Sequence, residues 1–165
     1  MVALRLATTD DFEKLMALSE ELAAFNIQLG QRRPLRWRNG RQDYFRPFVT
    51  QALADPTTHR IVVAEANGEI LGTCHTALKN ESEPCPAHVH TLIVTERWRR
   101  NGIGRRLLDD AFAWCASVGA GEVSLNVAWP AEETRRFYES YGFEAINTLF
   151  VKTTSAADTG SHQVQ

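Results

Sequence analysis

The sequence is poor in cysteine, balanced in charge and free of long apolar runs. Its three cysteines, Cys74, Cys85 and Cys115, are odd in number and form no disulfide framework. No apolar stretch approaches the length that crosses a bilayer. The net charge of −2 gives no overall field that would draw the chain to nucleic acid. Met1 to Leu6 lacks the basic-then-apolar layout of a signal peptide. These absences predict a cytoplasmic protein with neither membrane nor nucleic acid as partner. Internal repeats are missing, and the only low-complexity stretch is the polar tail from Thr153. No Gly-x-Ser-x-Gly elbow supports a serine nucleophile.

What is present fits one domain. With 165 residues, 44% hydrophobic and 23% charged, the chain can bury a proper core. Residues 1–152 are expected to form that domain and 153–165 a disordered tail.

The organising stretch runs from His88 to Leu108. It opens as a β-branched apolar run, which predicts a buried strand. It closes with Leu107, Leu108, Ala111, Phe112 and Cys115 at helical spacing. Between them lies Arg99-Arg100-Asn101-Gly102-Ile103-Gly104. Glycines allow a tight turn and a close approach to the backbone. The first turn of a helix has unpaired N–H groups and the positive end of the dipole, which suit a phosphate. The Walker pattern is absent. The three-glycine dinucleotide pattern is absent too, with no acidic residue at the ribose position.

The remaining chain reads in order as follows. Val2 to Ala7 predicts a strand. Asp10 with Glu13 makes a capping-box-like start to a helix marked by Phe12, Leu15, Met16, Leu22 and Phe25. Residues 28–46 hold six arginines against the single acid Asp43, and Gly30, Pro34 and Gly40 predict a loop. That loop reads either as a lid favouring an anionic acceptor or as a solvated segment. Trp37 within it must pack down or meet a ligand. Phe45, Phe48, Val49, Ala52 and Leu53 form a helical stripe ending near Asp55-Pro56. Ile61 to Ala66 and Ile70 to Leu78 are strands joined by an Asn67-Gly68 hairpin turn. Lys79 to Pro86 is a loop. Gly119 and Gly121 close the helix after the glycine turn. Val123 to Val127 is a strand, Pro130 to Tyr141 a helix, and Phe143 to Lys152 a last strand or hairpin. The order is β-α-α-β-β-β-α-β-α-β, an α/β mixed, mostly antiparallel sheet with helices on both faces.

The glycine turn resembles the Arg/Gln-x-x-Gly-x-Gly/Ala motif of the GNAT superfamily of N-acetyltransferases. Two further stretches are similar to it: Arg5-x-Ala7-Thr8-x-x-Asp11 at the start, and Tyr138-Glu139-Ser140-Tyr141-Gly142-Phe143 near the end. The resemblance covers residues 2 to 152, and the element order is that of the GNAT fold. It implies acetyl-CoA as co-substrate, with no metal, and transfer to an amine. The loop Arg99, Arg100, Asn101, Gly102, Ile103, Gly104 and Arg105 would hold the pyrophosphate. The backbone of Leu92, Ile93 and Val94 would meet the pantetheine amides. Tyr138 would lie near the coenzyme sulfur, where a phenol can protonate a departing thiolate. Many members carry Asn seven residues before this Tyr; here the position is Ala131.

His88 and His90 are two apart and share a strand face. An amine must lose a proton before it attacks, and imidazole has the pKa suited to taking it. Either histidine could do so, and either could instead be structural. His88-Val89-His90 looks like the His-x-His strand of the arylalkylamine N-acetyltransferases. Zinc is the rival for Cys74, His75, Cys85, His88 and His90, but their spacings match no common site. Cys115 reads as core, and Arg97 and Arg106 as solvated. The expected acceptor is a small-molecule amine. Protein termini or lysines, and a non-catalytic acyl-CoA sensor, are the alternatives. The last strands of such a fold could pair across a homodimer.

Overall fold

The fold was established from a computed structural model, which describes residues 1–29, 41–79, 85–128 and 131–146, without the side chains of 41–44. It separates into two units, Met1–Glu132 and Glu133–Gln165.

The first unit is built on a five-stranded sheet. Its strands are β1 (Ala3–Leu6), β2 (His59–Ala66), β3 (Glu69–Leu78), β4 (Ala87–Val94) and β5 (Val123–Leu125), side by side in that order. β1 to β4 pair antiparallel; β4 and β5 pair parallel. Three helices accompany them: α1 (Phe12–Gln28), α2 (Arg41–Ala54) and α3 (Ile103–Ser117). The helical stripe of α1 and α2 buries Leu15, Met16, Leu18, Val49 and Ala52 against Ile61, Val63, Ile70 and Ile93. α3 buries Ile103, Leu107 and Ala111 against Val62, Ala64, Leu71, Cys74 and Val89. The sheet is thus covered on both faces. Leu71, Leu107 and Leu108 are fully enclosed, each worth about 2 kcal/mol of apolar transfer.

Asn67 and Gly68 both adopt positive φ, 52° and 77°, as a two-residue hairpin turn requires. Gly119 takes a left-handed conformation just past α3. The second unit carries most of α4 (Glu132–Tyr141), which stops at Gly142 with φ 104°.

Several expectations shift. The cap before α1 is not Asp10 with Glu13. Asp11 instead accepts from the Thr8 amide at 2.9 Å and from both ends of the Arg5 guanidinium at 2.6 and 2.9 Å. Arg5 holds the Asp11 carboxyl down to about 2, and its Nε donates to Glu65 on β2 at 2.8 Å. The Arg5-to-Asp11 pattern therefore ties the chain start to the sheet. The arginine-rich loop is shorter than expected, because α2 already begins at Arg41 and runs through Pro47. Arg46 donates to Glu13 on α1 at 2.7 Å and sits over the Phe12 ring, so it is a helix tie. Residues 30–40, with Arg32, Arg33, Arg36, Arg38 and Trp37, lie outside the described residues. So do 147–152 of the last expected strand; 143–146 are not strand.

Candidate active site

β4 is where the sheet opens. β5 pairs with it only through Ala87, His88 and Val89, then ends at Leu125, while β4 continues to Val94. The far half of β4 therefore has β3 on one side and no strand on the other among the described residues. The Thr95 amide donates to Leu71 on β3. By strand alternation the N–H and C=O groups of Leu92 and Val94 face away from β3, toward the open edge. Ile93 directs its backbone toward β3: a Cβ placed on Gly72 would lie 2.6 Å from the Ile93 carbonyl oxygen. Of the three residues named for backbone contacts, Leu92 and Val94 thus reach the opening.

Beyond Val94 a 3-10 turn, Glu96–Trp98, leads into the glycine turn. Arg100 has φ 64° and Gly102 φ 76°, so two left-handed residues bracket Asn101. Left-handed backbone is costly for an arginine and calls for surrounding support. Asn101 gives that support, donating from Nδ2 to the carbonyls of Trp98 at 3.2 Å and Arg99 at 2.9 Å. Gly102 caps α3 and no side chain bonds its first turn. The first turn of α3 thus presents the positive end of the helix dipole beside the glycine turn, where an anion fits.

The arginines divide. Arg99 turns toward α1: its Nε donates to Val94 O at 3.0 Å, its guanidinium lies 4.7 Å from the Phe25 ring centroid, and Glu21 is 3.7 Å away. Arg100 and Arg105 are exposed around the turn. Arg97 pairs with Glu69, and Arg106 donates to Val2 O at 3.0 Å. The Thr95 hydroxyl and the Trp98 indole N–H are buried without a hydrogen-bond partner among the described residues.

The near half of β4 gathers histidines. His88 and His90 have ring centroids 4.8 Å apart, as their spacing implies. Two more histidines join them, His75, named above only as a rival zinc ligand, and His59, which the sequence did not implicate. His75 on β3 is 5.2 Å from His90, and His59 on β2 is 5.3 Å from His75, with Nδ1 and Nε2 at 3.1 Å. Phe48 on α2 packs on the group, 4.9 Å from His90 and 5.0 Å from His75. The register shows why they meet. His75 pairs with Thr91 and Thr76 with Val89, which leaves His90 as an extra, bulged residue. Before the bulge Val89 packs with α3. After it Thr91 shares a small cavity with Leu15, Phe45, Val49 and His75, on the side of α1 and α2.

This environment keeps the rings neutral. Burial, with His90 and His59 nearby, holds His75 down to about 3. His90 is exposed, yet desolvation where the rings of Phe48, His75 and His88 crowd it, then His88, His59 and Lys79, lowers it to about 4. Burial and Lys79 lower His88, and burial lowers His59 despite Asp55. A neutral imidazole retains the lone pair a base needs. Burial raises the Cys74 thiol to about 12, so it is inert, and Cys115 is likewise buried and raised. No cluster of three or more His, Cys, Asp or Glu among the described residues is arranged to hold a metal ion.

In the second unit Tyr138 is buried, with Phe137 and Phe143 edge-on at 5.2 and 5.6 Å.

The α/β sheet splits along one strand, and α3 begins at Gly102 beyond the split. The family profile described as Acetyltransferase (GNAT) family matches residues 22–143, and the chain belongs to that family. Solved structures agree on the fold. Aminoglycoside N-acetyltransferase AAC(6')-Iy in complex with a CoA-containing bisubstrate analogue is 14% identical, with TM-score 0.73, over 94% of this chain and 99% of that one. An aminoglycoside acetyltransferase from an uncultured soil metagenomic sample, in complex with sisomicin, is 18% identical, with TM-score 0.67, over 93% and 97%. A transcriptional regulator from Bacillus halodurans C-125 is 19% identical, with TM-score 0.69, over 93% and 100%. No curated protein sequence matches the chain.

Proposed function

We propose that this protein transfers the acetyl group of acetyl-CoA to a small-molecule amine by direct attack. The observation that carries the reading is β4 itself. Its far half turns the Leu92 backbone and the Val94 amide toward the open edge, beside a glycine-started helix, and its near half carries neutral histidines. The residues fit the co-substrate. The amides of Ile103, Gly104 and Arg105 would take the pyrophosphate, with Arg100 and Arg105 adding charge. The Leu92 backbone and the Val94 amide would take the pantetheine amides. Acetyl-CoA supplies an activated thioester carbonyl.

The chain's own groups do the rest. His88 or His90 takes a proton from the ammonium form of the acceptor, freeing the nitrogen lone pair. The amine nitrogen bonds the acetyl carbon and the carbon–sulfur bond breaks. The Tyr138 hydroxyl gives its proton to the sulfur as it leaves, and the second hydrogen that the acylated nitrogen must lose returns to the phenolate. Holding both reactants on one scaffold supplies much of the acceleration, so no acyl-cysteine is needed. Relatives of the same fold that act on aminoglycosides support an amine acceptor.

Mass spectrometry of a pooled amine library incubated with acetyl-CoA tests this, with Tyr138→Phe run alongside. A product that falls roughly a hundredfold in the variant supports transfer through Tyr138. Binding of acetyl-CoA without product favours a sensor or a macromolecular acceptor. Absence of binding overturns the reading of the glycine turn.

A further inference from the structure

We propose that Ser124 is a positioning residue that holds His88 with its proton on Nδ1, and so makes His88 Nε2, rather than His90, the base of the acetyl transfer. The inference rests on the transferase reading above and deepens it.

The hydrogen count sets the tautomer. Ser124 Oγ donates its one proton to Ala87 O at 3.3 Å. His88 Nδ1 lies 2.9 Å from the same Oγ. The carbonyl can only accept, so when the hydroxyl gives it its proton, Oγ takes the hydrogen of Nδ1 and satisfies both contacts at once. Nε2 then has the lone pair. Asn126 Nδ2, a group that only donates, sits 3.5 Å from Nε2, which fits an acceptor there. Asn126 is exposed and lies just past the end of β5, so Nε2 faces the region where β4 and β5 part.

His90 has no such arrangement. Among the described residues no hydrogen bond fixes either of its ring nitrogens; its neighbours are the rings of Phe48, His75 and His88. An unfixed ring offers its lone pair in two directions, whereas His88 offers it in one. Ser124 stands opposite His88 in the parallel β4–β5 register. It therefore holds the ring from the one strand that closes this end of the split. The charged or titratable groups facing His88 are Lys79 and His90; Ser124 and Asn126 face it from the β5 side.

In the step itself the acceptor ammonium displaces the long Asn126 contact and gives one proton to Nε2. The resulting imidazolium is protonated at both nitrogens, and its Nδ1–H remains on Ser124. That charge-assisted bond is stronger than the neutral one, so Ser124 favours the proton-accepting step.

Two readouts on the full chain test this. Long-range 1H–15N correlation reads the His88 tautomer without substrate: the Nδ1–H form is expected in wild type and a mixed form in Ser124→Ala. With the amine identified by product detection, Ser124→Ala should lower kcat/KM about tenfold and move the acid limb of its pH profile downward, while Ser124→Thr restores both. An Nε2–H tautomer in wild type overturns the proposal, as does an unchanged rate and limb in Ser124→Ala. Failure of the transferase reading looks different: wild type forms no product while the tautomer stays as stated.

Discussion

The two ends of β4 solve opposite problems. The near end, His88 to His90, presents side chains and keeps them uncharged by crowding imidazoles around Phe48. The far end, Val94 to Arg105, presents backbone and surrounds it with arginines, one of them in a left-handed conformation. One end depends on desolvation, which removes charge. The other depends on unpaired amides and a helix dipole, which attract it. A single strand can host both because its neighbour β5 stops after Leu125, so among the described residues only the near end is closed on both edges. The contrast teaches that the far end is written in glycine and φ, and the near end in packing.

The comparison can be broken at either end. The largest effect is expected at Gly72, where β3 presses against the far half of β4. Gly72→Ala drives a methyl into the Ile93 carbonyl, a backbone atom that cannot swing aside. It should cost about 3 kcal/mol of stability in urea unfolding. Next comes Gly102→Val. Space around it is open, but φ 76° strains a β-branched residue. The strain of about 2 kcal/mol should appear as roughly thirtyfold weaker binding of CoA in calorimetry, with the His88 tautomer unmoved.

The smallest effect belongs to the histidine end and is a slope. The unfolded chain protonates His75 near its ordinary 6.5, the folded one only near about 3. Between those values the unfolded state binds more protons, so stability falls as pH falls. His75→Leu removes that term. It should save about 1 kcal/mol of the stability otherwise lost between pH 6.5 and about 5.5. Denaturant unfolding at the two pH values measures it; identical slopes for both proteins would mean that His75 is not held neutral.

Much of this was legible in the residues. Asn67-Gly68 announced its hairpin, and Phe48, Val49, Ala52 and Leu53 announced α2, because turn chemistry and period are local. Gly102 announced its turn for the same reason. Arg100 did not, since only the pull of Asn101 on two carbonyls makes a left-handed arginine tolerable there. His59 gave no signal and His75 entered only as a rival zinc ligand, because two hairpins must fold before β2 and β3 bring them beside His90. Ser124, thirty-six residues from His88, is a partner that only the parallel β4–β5 register creates. The cap at Asp11 rather than Asp10 was decided by the reach of Arg5.

The bulge at His90 carries one further consequence. A regular strand assigns adjacent residues to opposite walls, so sequence neighbours rarely meet the same environment. Here His90 and Thr91 both look toward α2, while the alternation on either side stays intact, merely inverted in phase. The strand therefore holds a spare slot. Its loss would join Val89 directly to Thr91 in regular alternation, with no other side chain moved to the wrong wall.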